Sequence, residues 1–396
     1  MSAILSGFLS AEPVEILTYQ SIQGRIRHSN PTLAAAKFRI NEALGNLKQS
    51  GRLSNPTLDT GLSHNIRSAE GEIEIGLSQK FPITNRLALE KEISLAEVEA
   101  AEAEVRDVER LLIAEARAEF IRILSLRERR ALLAKEKKLA AELTGFITSA
   151  SERGEISSID AAQARLAGLS ITTEERRLST EETSILGKLR PLLGMEPTTA
   201  VQLSGNPPGI DIPATSSIRR PDLNAAKHLL DAAGSNIALE QAHKKEDIEA
   251  SIFAAAERSE DAPEGLENEG IVGFKLSIPF PFWNDNQGNI EAATAIRDRR
   301  AKEIEALTES ILHESQTALT EMRQWLSLIA ELENSLIPLT REQTGLLEDA
   351  YTQGQGDLQA VLTSRKQTLE LLATKIDASR EFQLARIRYE ASRGNQ

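Results

Sequence analysis

The amino-acid sequence repeats itself, and this duplication limits the fold more than any other feature of the chain. Three pairs of matching segments occur in the same order, with a separation that grows only from about 190 to about 200 residues. They are NPTLAAAK at 30–37 with RPDLNAAK at 220–227, LSQKFP at 77–82 with LSIPFP at 276–281, and Gly154 and Arg165 with Gly354 and Arg365. The fold must therefore contain two equivalent halves.

Each half predicts the same series of elements: a helix, two strands and two long helices. Ile73, Ile75 and Leu77 alternate with polar residues, as in a strand, whereas apolar residues recur every three or four positions from Val105 to Ile123, as along a helix. Repeat 1 (17–205) is predicted to contain strands at about 53–63 and 72–82, a long helix at 85–153 and a return helix at 157–194. Repeat 2 (206–396) is predicted to contain strands at about 246–257 and 270–282, a long helix at 289–353 and a return helix at 357–392. Polar loops are expected at 64–71 and 258–270.

Composition and charge argue against several classes of protein. The net charge of −13 disfavours a nucleic-acid partner, and the absence of cysteine excludes disulfides and thiolate metal sites. No apolar run approaches the roughly 18 residues that a membrane-spanning helix requires. Residues 1–16 form an N-terminal segment that is either the stub of a trimmed signal peptide or a frayed terminus.

Four strands leave two sheet edges exposed, and exposed edges invite pairing with another chain. Membrane-spanning barrels begin at about 8 strands, so one chain cannot close such a sheet and copies must combine. Alternating apolar and polar faces suit a lipid-facing exterior and a wet interior. The same alternation also suits a small soluble sheet with one face packed on helices, and at this point both interpretations stay open.

Helices of about 65 residues with narrow apolar stripes cannot surround one compact core, but they fit coiled-coil packing. A soluble coiled-coil scaffold or interaction protein is therefore the alternative function. The pair of strands inserted at the same place in each half favours the wall of a channel, because a simple rod does not predict it.

Several motifs resemble the TolC-type outer-membrane efflux proteins, and the resemblance extends over nearly the whole chain. The opening NPTLAA followed by NPTL at 55–58 resembles that family's first helix and strand, and GLSQKFP at 76–82 resembles its second strand. The segment PFPFWNDNQGNI at 279–290 is similar to a passage of the heavy-metal branch, the outer component of cobalt–zinc–cadmium pumps.

The resemblance implies a mainly α fold with a small β part. Three copies would form a long α-helical barrel and a transmembrane β-barrel, with four strands per protomer. The location implied is the outer membrane of a Gram-negative bacterium, with a large periplasmic portion. The partners implied are two sister chains, outer-membrane lipid, a periplasmic adaptor protein and an inner-membrane proton-driven transporter. The function implied is passive exit of a substrate, including heavy-metal cations for the branch suggested above, without enzyme activity or a cofactor.

The resemblance also singles out residues at the turns between the long helices. Asp160 follows Gly154 at the first turn and matches an aspartate that bonds a tyrosine, and Tyr351, before Gly354, matches that tyrosine. Such a bond would act as a breakable latch, although Asp160 is equally suited to cap its own helix. The chain lacks the family's arginine link and its two pore-constricting aspartates, because it has Gly356, Ala360 and Thr363 at those positions. Asp357 lies nearby and is a candidate replacement, and the gate is expected to be held less tightly.

Charged residues of the strands are candidates for a pore lining. They are Asp59, Glu72, Glu74, Asp247, Glu249 and Lys275. Rings of carboxylates favour cations, but carboxylates on any wet surface also promote solubility, and the sequence does not separate the two. The five histidines are scattered, so no metal site is predicted. A catalytic site is not expected, since no phosphate-binding loop or nucleophile elbow occurs.

Overall fold

A computed structural model describes residues 15–155, 157–214, 217–261 and 265–394. The helices are α1 Ser21–Ser29, α2 Pro31–Gln49, α3 Arg86–Glu152, α4 Ser158–Leu192, α5 Pro221–Ala242, α6 Gln287–Glu331, α7 Ile337–Thr352 and α8 Leu358–Arg393. A π-helical turn, Leu332–Leu336, joins α6 to α7. The strands are β1 Glu15–Leu17, β2 Thr57–His64, β3 Gly71–Phe81, β4 Val201–Leu203, β5 Ile248–Asp261 and β6 Gly265–Ser277. The proposed signal remnant lies mostly outside the described residues.

The described residues form two compact units. The sheet unit contains 37–105 and 221–308, and the helical unit contains the remaining described segments. Among the described helices, none is both long enough and apolar enough to cross a lipid bilayer.

The sheet unit is organised by one four-stranded antiparallel sheet in the order β2-β3-β5-β6. The hairpin of repeat 1 therefore lies beside the hairpin of repeat 2, because β3 pairs with β5 from Gly71↔Arg258 to Phe81↔Ile248. Within the described residues, the outer edges of β2 and β6 have no strand partner. Backbone donors and acceptors along those edges are thus available to another chain.

The helical unit is held together by apolar seams between antiparallel helices. One cluster joins α6 to α8 through Met322, Phe382 and their neighbours, with both of these side chains fully buried. A second cluster, discussed below, lies at the turns between the long helices. The short strands β1 and β4 pair in parallel, Glu15↔Val201 to Leu17↔Leu203, and were not predicted because three residues carry no usable periodicity.

The observed strand boundaries differ from the predicted ones in two kinds of place: next to prolines and in the acidic segment 258–270. The first strand begins at Thr57 rather than 53, and β6 ends at Ser277 rather than 282. Pro56, Pro279 and Pro281 lack the N–H group that a ladder requires. The acidic segment 258–270 was predicted as a loop but belongs largely to β5 and β6, since it is paired from Arg258↔Asn268 to Asp261↔Gly265. Backbone pairing extends this hairpin regardless of side-chain charge.

Candidate functional site

One face of the sheet is apolar and exposed. The register aligns Leu58, Leu77, Ile252 and Phe274 in one row across all four strands. Further along, Leu62 and Val272 on the same face are 81% and 87% exposed. An uncovered apolar surface of this kind is costly in water and marks a contact with lipid or another protein.

The opposite face is polar, and it carries five of the six strand residues that the sequence singled out. The register places Asp59, Glu72, Glu74, Glu249 and Lys275 on this face. Ser78 of β3 donates a hydrogen bond of 2.8 Å to the Asp59 carboxylate of β2. This bond crosses between neighbouring strands and fixes the carboxylate on the polar face.

Asp247, the sixth residue, is not part of a strand. It precedes β5 and accepts two hydrogen bonds, of 3.1 and 2.6 Å, from the Arg86 guanidinium at the start of α3. Arg86 also donates to Glu90 at 3.0 Å. Since the pair is bidentate and partly buried, Asp247 is best described as a structural link between the end of one strand pair and a helix.

Two further glutamates join the polar face, and sequence reasoning did not find them. Glu72 of β3 is directly opposite Glu257 of β5, which is directly opposite Glu269 of β6. Neighbouring strands are about 4.8 Å apart, so three carboxylates lie side by side. The missing information was the register: Glu257 fell at the end of one predicted strand and Glu269 in a predicted loop.

The polar face also contains one aromatic side chain laid over a glycine. A Cβ atom at Gly273 would be 2.3 Å from the ring of Phe253, the residue directly opposite on β5. No side chain fits there, so glycine is required for the ring to lie flat.

The turns of the two repeats have the same backbone geometry. Gly154 and Gly354 adopt φ values of +77° and +75°, which glycine tolerates without strain. In each turn the residue after the glycine donates to a carbonyl five residues back, Glu155 to Ala150 and Gln355 to Ala350, both at 2.9 Å. This is the Schellman ending, in which the last helical carbonyls find donors. The matching glycines therefore mark matching turns.

An apolar cluster joins the two turns. Ile147, Ala161, Ala164 and Leu358 are buried, and Leu143, Tyr351 and Leu362 pack against them. We call these seven residues the turn cluster. Its members come from α3, α4, α7 and α8, so it connects the helical hairpin of repeat 1 to that of repeat 2. Leu358 is 2% exposed at the first position of α8.

Asp160, Tyr351 and Asp357 are brought together beside this cluster. Burial and the charges of Asp160 and Asp357 raise the pKa of the Tyr351 phenol. Its Oη atom is buried and makes no hydrogen bond to the described residues. The latch between Asp160 and Tyr351 thus stays a prediction: the groups are neighbours, but no bond joins them in this conformation.

The capping role considered for Asp160 belongs to another residue. Ser157 is the N-cap of α4, and its side chain accepts a hydrogen bond of 3.1 Å from the Ile159 N–H. Asp160 lies in the first turn of α4, where a carboxylate interacts favourably with the helix dipole. Asp357 is the N-cap of α8 but makes no capping hydrogen bond with its side chain.

A groove of about 690 Å³ runs between α3, α4 and α8 next to the turn cluster. Thr363 lines it, whereas Ala360 does not and is half-buried on α8. Arg365 in the groove donates to Glu348 at 2.6 Å and lies 3.8 Å from Glu136. Burial raises the pKa of the Glu136 carboxyl, more than the Arg365 charge lowers it.

Comparisons with known proteins agree with this arrangement. The family model described as "Outer membrane efflux protein" matches the chain twice, over residues 23–195 and 213–394. No curated protein sequence matches the chain.

Solved structures show the same fold. The outer-membrane channel OprN is 18% identical with a TM-score of 0.76, over 96% of this chain and 90% of that one. CusC is 17% identical with a TM-score of 0.80, over 96% and 92%. The outer membrane protein VceC from Vibrio cholerae is 15% identical with a TM-score of 0.75, over 95% and 96%. Since the family model covers most of the sequence in two copies, the chain belongs to the outer membrane efflux protein family.

Proposed function

We propose that three copies of this chain form an efflux channel in the outer membrane of a Gram-negative bacterium. Their sheets would close one β-barrel of 12 strands, and their long helices would enclose a tunnel through the periplasm. The observation that carries the proposal is the sheet itself. It exposes an apolar face and a polar face, and both of its outer edges lack a strand partner within the described residues.

The channel would be a passive exit for a substrate delivered by other proteins. An inner-membrane proton-driven transporter and a periplasmic adaptor would supply the energy and the connection, as the family resemblance implies. The chain itself would perform no chemistry. A soluble scaffold is the alternative function, and the exposed apolar sheet face argues against it, because Leu62 and Val272 would be hydrated at considerable cost.

Intermolecular strand pairing can be tested directly, because the natural chain has no cysteine. Thr60→Cys in β2 would be combined with one cysteine at each of several positions in β6, and membranes would be oxidised. Pairing of β6 with β2 of a sister chain predicts disulfide-linked trimers for a subset of positions in one register. Each single-cysteine variant is the control and should stay unlinked. A monomer that remains in the water-soluble fraction would refute the proposal.

Export of heavy-metal cations is the substrate class we propose for this channel. Glu72, Glu257 and Glu269 lie in one row on the polar face, and three copies would supply nine carboxylates to the inner surface of the barrel. A ring of carboxylates attracts cations. The Trp-containing segment at 279–290, which resembles the heavy-metal branch, agrees with this choice.

The matched experiment compares charge removal at two levels of the polar face. Glu72→Gln, Glu257→Gln and Glu269→Gln together should lower the cation-over-anion permeability ratio of channels in planar bilayers. Removing the single carboxylate of Glu249, whose neighbour across the strand is Lys80, should change it far less. An unchanged ratio in the triple variant would exclude the carboxylate row as a selectivity element and would leave the channel proposal intact.

The two helical turns are proposed as the gate at the periplasmic entrance. The Tyr351 phenol lies near the carboxylates of Asp160 and Asp357. The turns that hold these residues are formed at Gly154 and Gly354. Conductance of Asp160→Ala is the test of a polar latch. A latch predicts a larger open fraction, and wild-type conductance would count against it.

A further inference from the structure

A half-buried cluster of charged side chains joins the two helical hairpins beside the groove. The Arg365 guanidinium of α8 donates through Nε to the Glu348 carboxylate of α7 at 2.6 Å. Its Nη1 atom lies 3.8 Å from the Glu136 carboxylate of α3. The side chains of Glu136, Arg365 and Glu348 are 21%, 18% and 36% exposed. We call these three residues the inter-hairpin triad, because Glu136 belongs to repeat 1 and the other two belong to repeat 2.

The two carboxylates of the triad share the arginine unequally. Glu348 accepts a short hydrogen bond from Arg365, and such a charge-assisted bond is stronger than one between neutral groups. Within the described residues, no hydrogen bond acts on the Glu136 carboxyl, and the buried Arg365 Nη1 atom beside it makes none either. Arg365 is thus bonded to the carboxylate of its own repeat, and Glu136 of the other repeat is left outside that bond.

The other charged side chains that line the groove with Glu136 are paired among themselves. They are Arg129 with Glu174, which also pairs with Arg177, and Lys366 with Glu370. The charges that act on Glu136 are those of Arg365, which favours its ionised form, and Glu348, which opposes it. The charge balance at Glu136 is therefore decided within the triad.

The triad holds two carboxylates and one cation, so it carries an uncompensated negative charge when both carboxylates are ionised. A net charge in a half-buried site is costly, and a proton on one carboxylate removes it. Glu136 is the group that takes this proton, because Glu348 would lose its bond to Arg365. Burial is the largest effect on the pKa of the Glu136 carboxyl and raises it, the Arg365 charge lowers it, and the Glu348 charge raises it again.

A proton that is held more tightly in this arrangement stabilises the arrangement. When the hairpins separate, Glu136 becomes hydrated and its pKa returns to the ordinary value for glutamate. The contribution of the bound proton to joining the hairpins is therefore complete below that ordinary value. It is lost as pH rises through the raised value of the joined state.

We propose that Glu136 is a proton-operated tie between the two helical hairpins: while it is protonated the hairpins stay joined, and release of the proton lets them separate. The consequence for transport rests on the proposed function, because the joined turns are the proposed closed gate. Periplasmic pH would then set the open fraction, and acid would favour the closed channel. The turn cluster joins the same hairpins by apolar contacts, so the proton adjusts the strength of a contact that exists without it.

Distances between paired spin labels can test the tie, because the chain has no cysteine to interfere. Lys138→Cys in α3 and Gln367→Cys in α8 would place one label on each hairpin, at exposed positions close to Glu136 and Arg365 in the sequence. Double electron–electron resonance would be recorded in lipid vesicles, with labelled chains diluted into unlabelled ones so that only distances within one chain contribute. We expect the ratio of long to short distances to rise at least about three-fold between about pH 5 and about pH 8.

Three variants of the labelled chain separate the tie from a general effect of pH. Glu136→Gln imitates the protonated carboxyl and should keep the short distance at every pH. Glu348→Gln leaves Arg365 to Glu136 alone and should move the transition to lower pH. Glu175→Gln removes a carboxylate that pairs with Lys137 at 2.9 Å within repeat 1, and it should respond to pH as the natural chain does. A distance ratio that is constant with pH in the natural chain, or that changes equally in Glu136→Gln, would overturn the inference.

Single-channel recording distinguishes failure of this inference from failure of the proposed gate. If the joined hairpins are the closed gate, the open fraction should rise with pH in the natural chain and stay constant in Glu136→Gln. If the distances respond to pH and the open fraction does not, the tie exists and the gate proposal is wrong. If conducting channels form and the distances do not respond, the inference is wrong and the channel proposal stands.

Discussion

Shortening Leu358 to alanine tests what holds the two helical turns together. Leu358 is 2% exposed and packs on Ile147, Ala161 and Ala164, so it joins the hairpin of one repeat to that of the other. Alanine buries less apolar surface than leucine and leaves a cavity. In a protein core such a substitution lowers the free energy of unfolding by about 2–5 kcal/mol. Because this cluster is close to two surface turns that can relax, we expect the lower end, about 2 kcal/mol.

The comparison variant is Tyr351→Phe. The Tyr351 Oη atom makes no hydrogen bond to the described residues, so its removal takes away no bond and relieves a buried polar group. We expect a change of about 0–1 kcal/mol in favour of the folded turns. A hydrogen bond between Tyr351 and Asp160 would predict the opposite result, a loss of stability in Tyr351→Phe. The raised pKa of the phenol gives a check: Tyr351 should lose its proton at a higher pH than a free tyrosine, and the natural chain should lose stability relative to Tyr351→Phe as pH rises through that value.

The assay is single-channel conductance in planar bilayers together with thermal unfolding. A loss of about 2 kcal/mol between the turns corresponds to roughly a 30-fold shift in the ratio of open to closed channels. Leu358→Ala should therefore open the channel and lower the melting temperature, and Tyr351→Phe should do neither. Leu166→Ala is the control, since Leu166 is 68% exposed. If Tyr351→Phe opens the channel more than Leu358→Ala does, the apolar account of the closed turns is refuted.

Two further predictions concern stability. Gly194→Ala should destabilise the protein by more than about 2 kcal/mol, because φ is +62° and the new Cβ would lie 2.0 Å from the Ser29 backbone oxygen. Gly168 lies in a helix with open space around it, so Gly168→Ala should stabilise the protein by up to about 1 kcal/mol. Chemical denaturation of both variants measures the change in the free energy of unfolding, and equal changes in the two variants would contradict the prediction. Glu136→Gln should stabilise the protein at neutral pH and lose its effect in acid. The raised carboxyl pKa favours the protonated form, so the contribution of Glu136 is full below its ordinary pKa and is lost as pH rises. Melting curves of wild type and variant across this range should converge in acid, and a constant difference would contradict the prediction.

The elements of the fold could be predicted because their signals are periodic or repeated. The alternation of Ile73, Ile75 and Leu77 with glutamates reveals a strand with one apolar face, and the register agrees, since all three lie on the exposed apolar side. Pairing between strands could not be predicted in the same way. Alternation states which residues share a face of one strand, but it does not state which residue on the next strand is opposite.

In the candidate site, too, single residues could be predicted, but the contacts between them could not. Glu72 was found because it alternates with apolar residues, but Glu257 and Glu269 gain their meaning only from standing beside it in the register. At the turns, the resemblance pointed to Tyr351 and Asp160. The structure adds that the phenol has no bonding partner among the described residues and that an apolar cluster joins the hairpins. Such contacts depend on distances between helices, which the order of residues does not encode.

The two repeats share one plan but differ along the first of their two long helices, and the difference predicts which hairpin moves. Helix α3 is continuous for 67 residues, whereas its counterpart is interrupted by the π-helical turn Leu332–Leu336 just before Pro338. Proline lacks the N–H of a regular helix and clashes with the carbonyl four residues earlier, which accounts for the wider turn. Below it, the seam between α7 and α8 includes a group of hydroxyls: the Thr344 hydroxyl lies 2.8 Å from Ser364 and 3.0 Å from Thr368.

In repeat 1 the matching threonine, Thr144, meets the carbonyl of Ala164, one of the buried members of the turn cluster. The π turn interrupts the regular helical hydrogen bonds, so we expect the second hairpin to open more easily than the first. Amide hydrogen exchange of the reconstituted channel should therefore be faster in α7 than over residues 137–152 of α3, at equal distance from the turns. Pro338→Ala, which permits a regular helix, should reduce that difference. Equal protection of both segments in the natural chain would show that the π turn does not make the second hairpin the mobile one.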